Sequence, residues 1–379
     1  MNAIDIRGLI LVDSLPSGRD GLLARTPFAM VDVAGMSPLE RIAQTMRRHG
    51  VSLMAIVVED DSSYRRRRPI PPGMAFRAAS PDRYWRLAEG TFNDLAQNGT
   101  ELVLVVRLGP YAEIDFEKLV QFHLAGPRRV TQVVCGGRPL EIFCLSASRR
   151  NDAASLFRSQ LGQCRSQLES YEHDGYFNPL AGPGDLRQFA IDVLTLNTET
   201  QPAGTEVRPG VWVGSEASIE KGSRILAPAF IGASARIGCG SLITRCSTIE
   251  RHAHVDCGTV VENSTVLPYS YVGAGLDIAH SVVRIGHIAS LRRGVTVKVS
   301  DQKLLGRVSS TGARYLWKAA VSLPARIWNG IFRDGSATRP PLEDALPQPS
   351  SALGVSACDT KVAGEFASDL MAVRRYGDQ

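Results

Sequence analysis

The side chains able to do chemistry fall into three groups. Arg19, Arg25 and Arg107 follow apolar runs and can pair with phosphate oxygens, or equally serve as solvated loop cations. His252, His254, His280 and His287 are the histidines in or near a repetitive stretch of the chain and are candidates for acid–base work, although His252 and His254 read as exposed corner residues. The seven cysteines are Cys135, Cys144, Cys164, Cys239, Cys246, Cys257 and Cys358. They contain no CxxC pair, which reads as reduced, mostly buried thiols and not as a disulfide or zinc framework.

The elements that must position these groups are legible from periodicity. Val213, Ile219, Ile225, Ile231, Ile237, Ile243, Ile249, Val255, Val261 and Leu267 are aliphatic and six residues apart. A parallel register at Val260, Val266, Val272 and Ile278 indicates a slip of one residue near 260–261. A six-residue unit supplies one short strand and one tight turn, and three units close a triangular coil of about eighteen residues whose inward side chains stack. Gly214, Gly232 and Gly238 directly follow inward positions, while Ala217, Ser223 and Ala235 lie two before them, as tight corners require. The expectation is a left-handed parallel β-helix over residues 205–308.

Residues 1–195 follow a different pattern, an α/β domain with a parallel sheet. Residues 6–12 form an apolar strand, and Ser37 and Pro38 mark the start of a helix whose apolar face includes Leu39, Ile42 and Met46. Gly50 ends this helix, and residues 51–58, 84–96 and 101–107 read as strand, helix and strand. Such alternation implies a parallel sheet covered on both faces, with ligands outside the carboxyl ends of its strands. Those ends are residues 12–19 and 107–111.

The layout of α/β domain followed by hexapeptide coils resembles the sugar-1-phosphate nucleotidylyltransferases, or NDP-sugar pyrophosphorylases, over residues 6 to about 308. GLILV at residues 8–12 occupies the place of the family's first strand. TPFAMVDVAG at residues 26–35 looks like its TPKPLxPVxGKP segment, and LERI at residues 39–42 like the helix that follows. AEIDF at residues 112–116 and DGYF at residues 174–177 match stretches beside its two metal aspartates. YVGAGLDI at residues 271–278 and TVKVSD at residues 296–301 are typical of members that carry this coil.

The resemblance implies a reaction between a nucleoside triphosphate and a sugar 1-phosphate with Mg²⁺, releasing pyrophosphate. It also exposes departures at the positions that would run it. The phosphate loop AGGxGTR is VDSLPSGR at residues 12–19, which retains Gly18 and Arg19 and introduces Asp13. Phe28 stands at the sugar-phosphate lysine, Gly109 at the first metal aspartate and Pro179 at the second. No Glu-Lys-Pro sugar motif occurs between Arg128 and Tyr171. The resemblance therefore implies a weakly active or non-catalytic protein of nucleotide-sugar and polysaccharide metabolism, with Gly18, Arg19, Arg25 and Arg107 as candidate nucleotide or sugar-phosphate ligands. Mg²⁺ is implied only if activity is retained.

Hexapeptide coils also resemble those of acyltransferases, in which a histidine acts as general base between subunits. This alternative rests on His280 or His287, neither of which has lysine or asparagine company in the sequence.

The chain has 379 residues, 44% hydrophobic and 21% charged, with a net charge of +5, a balance that does not argue for nucleic-acid binding. No signal peptide or membrane span is evident, so a cytoplasmic location is expected. Arg65–Arg68 precedes a proline cluster as either a phosphate-seeking or a solvated loop. Residues 309–333 form a basic amphipathic segment that caps the coil or, over 314–333, lies on a membrane surface. Residues 334–379 read as a disordered tail. Self-association, or pairing with an active paralogue, is expected from the flat sides of the coils.

Overall fold

The computed structural model describes residues 4–13, 22–23, 26–51, 53–59, 74–97, 99–147, 157 and 169–308. Gly18, Arg19, Arg25, the Arg65–Arg68 run, Cys164, Cys358 and the segments 309–333 and 334–379 lie outside the described residues. The chain to Val308 forms one compact unit of mixed α/β structure with several parallel sheets.

The first half is a seven-stranded sheet. Its strands are β1 (Ile6–Val12), β2 (Leu53–Glu59), β3 (Met74–Ala79), β4 (Leu102–Leu108), β6 (Val130–Cys135), β7 (Arg138–Ser146) and β8 (Glu169–Glu172), in the order β3-β2-β1-β4-β7-β6-β8. A short strand β5 (Tyr111–Ala112) lies outside this sheet. Strands β1 to β4 are mutually parallel, as the alternation of strands and helices implies. The sheet is not parallel throughout, because β7 runs against both β4 and β6. The cause is local: Gly136 and Gly137 both take positive φ, 54° and 71°, in a two-residue loop between paired Cys135 and Arg138. Such a loop makes a tight hairpin and leaves no room for a crossover helix.

Helices cover both faces. Helix α1 (Pro38–Arg48) opens with a capping box in which the Ser37 hydroxyl accepts from the Glu40 amide at 3.3 Å and the Glu40 carboxylate accepts from the Ser37 amide at 2.8 Å. Leu39, Ile42 and Met46 of α1 are buried with Ile10, Ile56 and Leu104. The same cluster takes in Leu119 of α3 (Phe116–Leu124) and Phe189 of α4 (Pro183–Leu194). On the opposite face, Tyr84, Ala88 and Phe92 of α2 (Pro81–Leu95) pack on Leu9, Leu11, Val103 and Val105. Central strands buried on both sides require the continuous aliphatic runs that the sequence shows.

The second half, from Thr205, contains three further sheets with one common rule. Val213 pairs with Ile231 and Ile231 with Ile249, Ile219 with Ile237 and Ile237 with Val255, and Ile225 with Ile243 and Ile243 with Val261. Every partner is eighteen residues on. Beyond Ile249 the interval falls to seventeen: Ile249 pairs with Val266, Val255 with Val272, Val261 with Ile278 and Val266 with Val283. From Ile225 onward these aliphatic side chains form one buried cluster; Val213 is partly buried against it, and Ile219, in the first turn of the stack, is exposed.

The slip therefore lies between Val261 and Val266, later than the sequence register suggests. Arg245 and Cys246 both take positive φ at the first of these corners, whereas Asn263 alone and His280 alone do so at the next two. A two-residue left-handed corner has become a one-residue corner. Val260 is consequently half-buried outside the column, and Leu267 is buried against the α/β half.

The glycines have two separate uses. A Cβ on Gly214, Gly232 or Gly238 would come within 2.4, 2.5 and 2.6 Å of a backbone nitrogen of the following rung, so close stacking and not turn conformation selects them. Positive φ is needed instead at Gly222, Gly240, Gly258 and Gly275, one per rung. Hydroxyls at small-residue positions tie rungs together: Ser223 donates to the Gly238 carbonyl, Ser241 to Asp256, and Thr259 to Gly273, at 2.6–2.8 Å.

The two halves share one core, since Phe230, Leu267, Val282 and Ala289 are buried in the cluster that contains α1 and α4. Polar contacts line the same seam. Glu250 accepts from the amides of Ala34 at 2.8 Å and Gly35 at 2.9 Å, and Arg251 Nε lies 2.8 Å from Asp32 Oδ2. Arg187 donates to the Asn263 carbonyl at 3.1 Å and to its side-chain oxygen at 2.8 Å. Among the described residues no helix is long and apolar enough to cross a membrane.

Candidate functional site

The carboxyl ends of β1 and β4 are the places where a parallel sheet exposes backbone to a ligand. Among the described residues an internal ion pair joins them. Asp13, one residue past β1, accepts from the Tyr84 hydroxyl at 2.6 Å and from Arg107 Nε at 2.7 Å, and Arg107 Nη2 pairs with the same carboxylate oxygen. Arg107 Nη1 is 3.7 Å from Glu141, and the guanidinium lies 5.0 Å from the centre of the Trp85 ring. Burial and the adjacent carboxylate push the Tyr84 phenol well above its usual range, so it stays protonated and donates. Arg107 is thus engaged by two nitrogens on one oxygen of Asp13 and by an aromatic face. It can receive a phosphate only by leaving Asp13 buried without its counterion.

Gly109 and Pro179, the two positions that the resemblance sets at metal aspartates, lie at the same end of one short ladder. Strand β5 pairs antiparallel with β9 (Phe177–Asn178), Tyr111 opposite Asn178. Pro179 directly follows Asn178 and Gly109 lies two residues before Tyr111, so both sit at the same end of this ladder. Two ligands of one ion must meet in this way, yet neither residue offers an oxygen-bearing side chain. The nearby acids have other work. Asp115 caps α3 by accepting from the Lys118 amide at 3.0 Å. Glu113 accepts from the Thr200 hydroxyl at 2.7 Å and from the Glu199 amide at 2.5 Å, fixing the passage between the halves. The residues present do not fit a Mg²⁺ centre that needs an oxygen cage. Phe28 begins a single 3-10 turn (Phe28–Met30) and packs half-buried against the main core.

The histidines have company that their sequence neighbourhood hides. His280 Nδ1 is 2.7 Å from the Asn263 amide nitrogen, and Arg292 Nη2 is 2.6 Å from His280 Nε2. Burial and Arg292 lower the pKa of His280, and both ring nitrogens are engaged, which leaves no free lone pair for a general base. His287 stands opposite Lys298 in an antiparallel pair of strands. Its Nδ1 lies 3.2 Å from the Ile285 carbonyl, and the residue lines a cavity of about 350 Å³ together with Lys298 and Arg307. His252 occupies a corner at positive φ, whereas His254 is not a corner residue but begins a short strand, paired with Arg236 and Tyr271. His252 is exposed and stacks on Tyr269 at 4.9 Å, whereas His254 is partly buried against Tyr271.

The cysteines depart most from expectation. Of the five described, only Cys144 is buried, and Cys239 is exposed. Cys239 and Cys257 lie eighteen residues apart at the same place in successive rungs, with their sulfurs 2.8 Å apart. Glu220 completes a group whose ligand atoms all lie within 4.8 Å of one another. In a stacked chain one rung takes the part that a CxxC spacing plays elsewhere. A comparison with protein-family models and with curated proteins returns no match for this sequence.

Proposed function

We propose that this chain is a non-catalytic relative of the sugar-1-phosphate nucleotidylyltransferases, a cytoplasmic binding or regulatory partner in nucleotide-sugar or polysaccharide metabolism. In this reading the three sheets with eighteen-residue intervals are the faces of a left-handed parallel β-helix. The chain associates with an active paralogue or with itself through their flat sides.

The observation that supports the reading is the placement of Gly109 and Pro179 at the same end of the β5–β9 ladder. The resemblance sets these residues at two metal ligands, which must lie close together. Neither carries a carboxylate. The Asp13–Arg107 pair supports the same reading, because it fills the strand ends with a neutral contact where a triphosphate needs uncompensated donors.

The test is a pair of measurements on the full chain with a panel of nucleoside triphosphates and sugar 1-phosphates in Mg²⁺. The expected result is a rise in melting temperature with at least one nucleotide or sugar phosphate, since a ligand that binds only the folded state must stabilise it. No pyrophosphate accumulates above the protein-free rate. Sustained pyrophosphate release that disappears in Arg107→Ala overturns the proposal.

A further inference from the structure

We propose that Glu220, Cys239 and Cys257 form a binding site for one thiophilic divalent cation of the zinc class, at an exposed corner and with one coordination position open. Nothing in this site depends on the nucleotidylyltransferase reading.

The backbone builds the site. Glu220 directly follows Ile219, while Cys239 and Cys257 come two residues after Ile237 and Val255, so all three lie on the turns after β12 (Ser218–Ile219), β15 (Arg236–Ile237) and β18 (His254–Val255). The Cys239 amide donates to Glu220 Oε2 at 3.2 Å, which turns that carboxylate toward the thiols. The Cys257 amide donates to Asp256 Oδ1 at 2.7 Å, and the other oxygen of Asp256 accepts from the Tyr271 hydroxyl at 2.7 Å. Asp256 thereby fixes the second cysteine turn from behind, as the supporting groups of metal ligands do. Gly240 and Gly258 follow the cysteines at positive φ, and a Cβ on either would meet nothing within 4 Å, so the approach from solvent is open.

The donor set selects the ion. Two sulfurs and one carboxylate do not suit Mg²⁺ or Ca²⁺, which take oxygen ligands, but they do suit a tetrahedral d¹⁰ ion. With metal–sulfur bonds of about 2.3 Å, a tetrahedral ion needs its sulfurs about 3.8 Å apart, so the thiols must part by about 1 Å. Rotation about Cα–Cβ at the exposed Cys239 supplies this without moving the rungs. Each thiol releases one proton to solvent as its sulfur–metal bond forms, and no electron is transferred. The fourth position takes water or a donor from another molecule.

The experiment uses the reduced, metal-free full chain, titrated with Zn²⁺ against a chromophoric chelator. Cd²⁺ serves as a second probe, read by its thiolate charge-transfer band. The expected result is one ion per chain, with affinity reduced about 100-fold or more in Cys239→Ser and in Cys257→Ser and about 10-fold in Glu220→Gln. Cys246→Ser, a substitution outside the cluster, leaves affinity unchanged. Circular dichroism on each variant separates loss of the site from loss of the fold. Equal uptake by the Cys239→Ser/Cys257→Ser double variant overturns the proposal. So does a reduced protein that takes up no ion and forms only a Cys239–Cys257 disulfide in air.

Discussion

Glu250 and Gly35 meet across the seam between the two halves of the molecule, carboxylate oxygen to amide nitrogen at 2.9 Å, with the carboxyl wholly buried. Burial and the facing Asp32 raise the pKa of Glu250 from 4.5 to about 7, against the opposing pull of the Gly35 and Ala34 amides and of Arg41. An acid whose pKa is raised on folding holds its proton more tightly in the folded state. Stability associated with Glu250 is therefore greatest below pH 4.5 and declines as pH rises to about 7, by on the order of 3 kcal/mol. Urea unfolding of the wild type and of Glu250→Gln, compared from pH 5 to pH 8, should show a difference that shifts against the wild type as pH rises. A difference independent of pH contradicts this assignment.

Asp13 and Arg107 should behave as one unit. Arg107→Ala leaves a nearly buried carboxylate with Tyr84 as its remaining partner and is expected to cost about 3 kcal/mol. Asp13→Ala strands a less buried cation and should cost less. The double substitution is expected to cost at least 1 kcal/mol less than the sum of the single ones, which a double-mutant cycle in denaturant measures. Simple additivity would mean that the pair is solvated and the strand ends are open.

Two glycine substitutions distinguish the two uses of glycine in the stack. Gly232→Ala places a methyl 2.5 Å from the Arg251 nitrogen, so a rung must shift, and a loss of about 3 kcal/mol is expected. Gly275→Ala meets no atom within 4 Å but must hold φ near +68°, at a cost of about 1 kcal/mol. Thermal unfolding that ranks them in the opposite order would refute the stacking explanation.

The phase of the column is open to an equally direct check. Ile243→Ala removes a fully buried side chain from the aliphatic column and should destabilise by about 3 kcal/mol. Val260→Ala trims a half-buried residue beside it and should cost less than about 1 kcal/mol. If Val260 proved the costlier, the corner at Asn263 would be wrongly placed.

Local signals carried much of this fold into plain sight. The Ser37–Glu40 box and Pro38 mark the start of α1, and the six-residue spacing from Val213 to Val261 falls on paired positions that are buried from Ile225 onward. What stayed hidden depends on contacts between distant residues. Strand β3 has Phe76 as the one strand-favouring residue in its MAFRAA sequence and owes its conformation to pairing with β2, Met54 opposite Met74. The slip was ambiguous because aliphatic residues stand at both 260 and 261 and at both 266 and 267; backbone conformation at Asn263 decides it. Asp13 and Arg107 are 94 residues apart, and nothing in either neighbourhood announces the other. Lysine and asparagine partners of the histidines, and the paired thiols, likewise become visible only when strand pairing is known.

The shortened corners have an architectural outcome. The residue lost is a corner residue, so the strands keep their parallel pairing while the turn between them shortens. The eight-stranded sheet is finished by antiparallel strands at both edges. At one edge the exposed, charged strand β10 (Thr205–Arg208) runs antiparallel to its neighbour, and at the other β24 (His287–Ser290) and β25 (Val295–Lys298) fold back as an antiparallel meander carrying Lys298. A further strand cannot lengthen this sheet by repeating the parallel pairing of its interior.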